Sequence, residues 1–370
     1  MSEMNDTPRG NRVHIAFFGL RNAGKSTLVN EFTGQPLAIV SDVAGTTTDP
    51  VSKAMEILPL GPCMITDTAG LDDTGELGEK RVAKSLAVLA NADVAVWVSD
   101  GSSSAAEAAA HGRFLEECRR RNVTVLEYMR GDSVEELKRR VSVSRTAERT
   151  PRLLEGLVER GDRVLCIVPI DESAPKGRLI LPQQQVIREC LDAGAVCTVC
   201  QPAEALDDAA VKPDEVDLAI TDSQAFGRVK GRFARLTSFS ILFARQKGDL
   251  AEYQKGLAAI ARLKDGDTVL VAEGCTHRRQ CNDIGTVKIP RAVERISGAK
   301  PVFKFASGSG FPLGAGESGV KLIVQCGGCM LTRREVLGRI ALAKANGVPI
   351  VNYGMVLAAA NGLQPEDVLP

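Results

Sequence analysis

Gly19-Leu20-Arg21-Asn22-Ala23-Gly24-Lys25-Ser26 decides how the first part of this chain is read. The octapeptide satisfies GxxxxGK[ST] in full. It stands between an apolar run, Val13 to Phe18, and a stretch of helical spacing. A strand before and a helix after are the context that gives the motif its chemistry: glycine lets backbone N–H groups wrap a phosphate at the positive end of the helix. The phosphate-binding residues are then Gly19, Asn22, Ala23, Gly24, Lys25, Ser26 and Thr27, with Lys25 bringing charge to the β and γ phosphates and Ser26 a Mg²⁺ ligand.

Further apolar runs lie downstream, Ala92 to Val98 and Val123 to Tyr128. Apolar runs separated by helical segments predict strands buried on both faces of a parallel sheet. Two motifs follow in order. Gly45-Thr46-Thr47-Thr48-Asp49 supplies Thr46 and Thr47, the latter a metal-binding switch threonine. Asp67-Thr68-Ala69-Gly70 follows the predicted strand Cys63 to Thr66 and matches the DxxG element that senses Mg²⁺ and the γ-phosphate. Lys25, Thr47, Asp67 and Gly70 are the candidate catalytic set of a GTPase of the translation-factor class.

Leu71 follows DxxG, where many GTPases place a glutamine that orients water. Here the chain resembles the Era-like branch that contains the tRNA-modifying GTPase. That resemblance implies that Asn22 helps hold a K⁺ ion, although Asn22 also fits an ordinary turn. The NKxD motif of such proteins is replaced by Met129-Arg130-Gly131-Asp132. Asp132 is placed to accept from guanine and Arg130 to stack on it, while Met129 cannot replace the asparagine, so these residues leave guanine specificity open. The segment 133–150 is short for the rest of such a domain, and Ser142 to Thr146 is a poor base-binding loop.

Ten cysteines but three histidines make any metal site depend on thiolates. Cys326-Gly327-Gly328-Cys329 follows the predicted strand Lys321 to Val324 and precedes a helix whose start is marked by capping-box spacing, Thr332 and Glu335. The helix end is expected to favour thiolates. Cys275 likewise follows a predicted strand, Thr268 to Ala272. If these strands are parallel neighbours, both loops leave the same carboxyl edge. Spacing alone suits a 4Fe–4S cluster on Cys275, Cys326 and Cys329, a zinc ion on these with His277, and unliganded buried thiols. Cys197 and Cys200 lie three apart in a predicted strand, hence on opposite faces, and read as core. Cys63, Cys118, Cys166 and Cys190 read as structural, His14 as a satisfied strand histidine and His111 as a helix-surface residue.

The order of a P-loop domain, a middle α/β segment, Cys275-Thr276-His277 and, much later, Gln325-Cys326-Gly327-Gly328-Cys329 resembles the FeFe-hydrogenase maturation GTPases, the HydF family. Ile170 to Ile180, Glu273 to Arg278 and Asn352-Tyr353-Gly354 extend the likeness over most of the chain. The resemblance implies a slow GTPase and carrier. Its cofactors are GTP, Mg²⁺, K⁺ and a 4Fe–4S cluster on Cys275, Cys326 and Cys329. Its cargo is a transient diiron precursor made by radical-SAM hydrogenase maturases and passed to apo FeFe-hydrogenase. It also implies a homodimer. Gln325 departs from the family histidine, leaving His277, Glu273, Gln325 or solvent to complete the fourth iron.

The expected fold class is α/β: a P-loop GTPase domain with a parallel sheet over residues 1–150, shortened at its end, followed by two smaller α/β domains, 151–247 for dimerisation and 248–370 for the cluster. Equal numbers of basic and acidic residues, 46 each, count against a nucleic-acid partner. No apolar run is long enough for a membrane span, and thiols without a secretory signal lead us to expect a cytoplasmic protein. The competing expectation is an RNA- or ribosome-associated GTPase with a structural zinc domain.

Overall fold

The computed structural model describes residues 7, 9–35, 50–58, 60–73, 75–102, 104–146, 151–170, 179–274, 283–308, 311 and 319–369. The chain forms two compact units, Met1–Arg149 and Thr150–Pro370.

In the first unit the elements run β1 (Val13–Phe18), α1 (Lys25–Thr33), β2 (Val51–Ile57), β3 (Gly61–Asp67), α2 (Gly75–Ala87), β4 (Val94–Ser99), α3 (Ala105–Arg120), β5 (Thr124–Met129) and α4 (Val134–Thr146). The sheet order among the described residues is β2-β3-β1-β4-β5. The β3, β1, β4 and β5 neighbours are parallel. Side chains alternate between two cores, as strand geometry requires. Ile15, Phe17, Ile65, Val94 and Val96 pack with Leu28 and Phe32 of α1 and Leu137 and Val141 of α4. Ala16, Phe18, Ala95 and Trp97 pack with Phe114 and Cys118 of α3 on the other face.

Three details were not in the sequence reading. Strand β2 pairs antiparallel to β3; being a mostly exposed edge, it carries no continuous apolar run. Residues Ser142 to Thr146, a poor match to a base-binding loop, belong to helix α4. His111, read as a surface residue, stacks on Trp97 with ring centroids 4.6 Å apart.

The second unit contains β6 (Arg163–Ile167), α5 (Leu181–Ala193), β7 (Val196–Cys200), β8 (Leu218–Thr221), α6 (Phe226–Val229), β9 (Leu236–Ser238) and α7 (Phe239–Lys247). It continues through α8 (Leu250–Ile260), β10 (Thr268–Glu273), α9 (Ile289–Ser297), β11 (Val302–Ser307), β12 (Val320–Gln325), α10 (Arg333–Ala345), β13 (Ile350–Asn352), α11 (Tyr353–Ala360) and α12 (Pro365–Val368). Its two sheets have the orders β7-β6-β8-β9 and β11-β10-β12-β13, and every neighbouring pair in them is parallel.

Helix α7 joins them. Ser238, at the end of β9, accepts a hydrogen bond from the Ile241 N–H and so starts the helix. Phe239, Leu242 and Phe243 then enter one apolar cluster with Cys166, Val186 and Ile220. Ile241 and Ala244 enter another with Val271, Ile323 and Val351. A helix apolar on both faces is a buried helix. Cys197 packs against the first cluster and Cys200 against the second, so this CxxC is divided between the faces of β7 as expected. No described helix is long and apolar enough to cross a membrane.

Helix α8 approaches β13 so closely that a Cβ on Gly256 would lie 2.0 Å from the Ile350 carbonyl oxygen. Gly256→Ala is therefore expected to destabilise this unit by about 1–3 kcal/mol through overpacking. Gly338→Ala, in the exposed middle of α10 with nothing within 4 Å, should stabilise by about 0.5–1 kcal/mol. Urea denaturation followed by circular dichroism checks both signs.

Candidate functional site

The strand β1, the phosphate loop and helix α1 follow in the order the motif demands. Gly24 caps α1 in the left-handed region at φ 93°, and Asn22 also adopts a left-handed φ of 61°. Gly19 passes so close to β4 that a Cβ would lie 2.3 Å from the Val98 carbonyl oxygen. Lys25 is buried, and its ammonium donates to the Leu20 carbonyl at 2.6 Å and the Gly19 carbonyl at 3.4 Å. Burial lowers its pKa, against the opposing pull of Asp67, Asp72 and Asp73. Ala23 is buried and Thr27 exposed on α1.

Asp67 ends β3 beside this loop. Its Oδ2 accepts from Ser26 Oγ at 2.7 Å. Its Oδ1 is buried without a hydrogen-bond partner among the described residues. An uncompensated carboxylate oxygen next to a serine hydroxyl is a donor set that fits Mg²⁺. Gly70 is required by close approach: a Cβ there would meet the Arg21 backbone nitrogen at 2.7 Å. Arg21 in turn donates its backbone N–H and Nε to Asp72, tying the phosphate loop to the segment after DxxG. Leu71 donates its N–H to the Gly19 carbonyl, and its side chain is buried in the cluster of Phe18, Leu89, Trp97 and Phe114. It therefore has no part in orienting water.

Beyond β5, Asp132 stands exposed and accepts at Oδ2 from the Met129 N–H at 2.8 Å. One carboxylate oxygen is thus spent on the turn. Thr46 and Thr47 lie outside the described residues, as do Cys275, His277 and Cys281.

The cysteine loop follows β12. Strands β10 and β12 are parallel neighbours with Ala272 opposite Gln325, and the ladder extends through the Cys326 N–H to the Ala272 carbonyl. Both strands therefore end at one edge. The Gly274 N–H donates to Cys326 Sγ at 3.1 Å. Gly328 turns the loop at a left-handed φ of 68°, and Gly327 packs against Ser240 of α7. Thr332 and Glu335 form the capping box that opens α10. Burial pushes Cys326 up, against the opposing Gly274 and Gly328 N–H groups, and pushes Cys329 to about 11. Among the described residues no group of three His, Cys, Asp or Glu side chains is arranged to hold a metal ion.

Among the described residues, Gln325 Oε1, Asn352 Nδ2 and Arg339 Nη1 at this edge are buried without hydrogen-bond partners. Gln325 uses its Nε2 on the Tyr253 hydroxyl at 3.3 Å. Sequence reasoning missed Lys247, the last residue of α7. It is only 2% exposed, and its ammonium donates to the carbonyls of Gly328, Cys329 and Leu331 at 3.2, 3.2 and 2.7 Å. Burial lowers it to about 8. A lysine ending a helix usually reads as solvated; the signal available was the two-sided apolar stretch before it.

Residues 153–248 match the hydrogen maturase F dimerization domain and residues 251–368 its tetramerization domain. The chain belongs to the HydF family. Residues 14–128, which precede these domains, match the 50S ribosome-binding GTPase model, making the first unit of this HydF-family chain a P-loop GTPase domain. GTPase Der of Campylobacter hominis is 39% identical over 87 residues, 24% of this chain and 19% of that protein. The tRNA modification GTPase MnmE of Phenylobacterium zucineum is 42% identical over 103 residues, 26% of this chain and 23% of that protein. This chain spans about a fifth of the length of the curated relatives it matches. A variant of Era from Aquifex aeolicus bound to GDP and aluminium fluoride is similar at 16% identity and a TM-score of 0.28, over 80% of this chain and 93% of that one.

Burial raises the pKa of Asp67, with Ser26 and Lys25 opposing it. A raised carboxyl favours the protonated form, so ionisation costs stability as pH rises through the shifted pKa. Asp67→Asn removes that cost. The nucleotide-free variant should be at least as stable as wild type at pH 7, with the advantage vanishing in acid, while Mg²⁺-dependent nucleotide affinity falls at least tenfold. Denaturation at two pH values and nucleotide titration check the two halves.

Proposed function

We propose that this chain is a GTP-hydrolysing carrier for maturation of FeFe-hydrogenase. GTP and Mg²⁺ bind the phosphate loop, with Lys25 on the phosphates and Ser26, Thr47 and Asp67 around the metal. Leu71 is withdrawn into the core, so hydrolysis is slow without a partner, and K⁺ held with the help of Asn22 accelerates it. Cys275, Cys326 and Cys329 hold a 4Fe–4S cluster, leaving one iron exchangeable for His277 or solvent and for the diiron precursor. The precursor comes from radical-SAM maturases and goes to apo-hydrogenase, in the cytoplasm.

The observation that carries the cluster reading is the hydrogen bond from the Gly274 N–H to Cys326 Sγ. Cys275 is the next residue in the sequence after Gly274, which supports assigning it as the third thiol. Gln325 Oε1, Asn352 Nδ2 and Arg339 Nη1, which have no hydrogen-bond partner among the described residues, fit a site built to surround a further group. Self-association is supported by Val196 and Val199, exposed on the edge strand β7, and by Val302 and Phe305 on the edge strand β11.

Anaerobic reconstitution with iron and sulfide tests the cluster. Wild type should hold about four irons and Cys326→Ala should lose nearly all of them; tightly bound zinc with no iron uptake would refute the reading. GTP turnover should be several-fold faster in KCl than in NaCl, and Asn22→Ala should erase that difference. Lys25→Ala should neither bind tightly nor hydrolyse GTP.

A further inference from the structure

Two buried cations flank the cysteine loop. Lys247 gives all three ammonium protons to loop carbonyls, on Gly328, Cys329 and Leu331. Arg339, on α10, is 6% exposed and lies over the Phe311 ring at 5.1 Å. Its Nη2 donates to the Gly308 carbonyl at 2.6 Å, while Nη1 has no hydrogen-bond partner among the described residues. Neither side chain is in an ion pair with a described residue. Glu335 is near both and offsets part of their charge, while its Oε2 also accepts from the Thr332 N–H and hydroxyl in the capping box. Glu273 lies near Cys326, with Oε1 where a Cβ on Gly285 would be 2.3 Å away.

A buried charge is costly unless an opposite charge compensates it, and hydrogen bonds to carbonyls satisfy its protons without neutralising it. Two such cations share one nearby carboxylate, Glu335, and the positive charge left over beside two cysteines favours an anionic occupant. Three thiolates outweigh the charge of an oxidised 4Fe–4S cluster, and reduction makes the group more negative still. In a low-dielectric site fixed positive charge favours the reduced form.

We propose that Lys247 and Arg339 are the charge-compensating residues of the cysteine site, with Lys247 also holding the loop in shape, and that together they raise the reduction potential of its cluster. This rests on the cluster reading above. Lys247 acts from the side of α7, through the loop backbone. Arg339 acts from α10, with one guanidinium N–H left for the occupant. Neither residue is a ligand.

The experiment uses the full chain, reconstituted anaerobically with iron and sulfide, then reduced stepwise with dithionite under electron paramagnetic resonance. Each cluster takes one electron from dithionite. Arg339→Gln should move the midpoint to a more negative potential at wild-type iron content, and Arg339→Lys should stay close to wild type. Lys247→Met should move it in the same direction and lower iron content as well, because three loop hydrogen bonds go with the charge. An Arg339→Gln midpoint equal to wild type overturns the proposal, and so does an Arg339→Lys midpoint as low as that of Arg339→Gln. Should Arg339→Gln fail to load, loading by Arg339→Lys supports a need for charge, and failure of both counts against it. Wild-type protein that takes no iron, or shows no reducible signal, sinks the cluster reading and this proposal with it. Normal loading with unshifted midpoints sinks the proposal alone.

Discussion

Parallel pairing of strands is the constraint on which the rest depends. A parallel ladder brings the carboxyl ends of its strands to one edge, whatever the distance between them in sequence. In the first unit this places the phosphate loop after β1 and DxxG after β3 side by side. In the second it places the residue before Cys275 against Cys326, although fifty-two positions separate Gly274 from Cys326. The strands need little specificity of their own. Val13–Phe18, Thr268–Glu273 and Val320–Gln325 are apolar enough to be buried on both faces, and the chemistry is left to the first residues beyond each.

The two edges differ in how they handle buried charge. At the phosphate loop a buried lysine and a buried aspartate stand among further acids, and each is partly offset by the other. The result is a site in which either sign is tolerated, suited to a metal and a polyanion arriving together. At the cysteine loop a buried lysine and arginine are in no ion pair with a described residue and share the nearby carboxylate of Glu335. The loop gains rigidity from Lys247 because one ammonium bridges three carbonyls that would otherwise have to be satisfied separately.

Much of this was legible because it follows from local rules. Apolar runs marked β1, β4 and β5 in the first sheet, strands were expected where β10 and β12 lie, and Thr332 with Glu335 marked the start of α10. The placement of Cys197 and Cys200 on opposite faces followed from strand periodicity alone. What escaped was tertiary. Strand β2 is an exposed edge with charged residues and owes its state to β3. Gly256, inside α8, is the point where that helix touches β13, a contact that local sequence does not announce. Lys247 has the sequence of a solvated helix end, and only the closing of the cysteine loop over it makes it a core residue. At Cys326 and Cys329 burial raises the thiol pKa, an effect of tertiary packing that local spacing does not show.

The position of Lys247 bears on how this protein can be taken apart. It is the last residue of α7, and one step beyond it a gene could be cut to express residues 248–370 alone. Such a fragment would retain every cysteine of the proposed cluster site. It would lack the ammonium that holds the loop between two of them, and it would bare the apolar residues that Ile241 and Ala244 cover in the intact chain. A fragment chosen at that natural-looking seam would carry the complete donor set without the support that shapes it. Weak metal uptake by it would reflect the cut, and would say nothing against the donors.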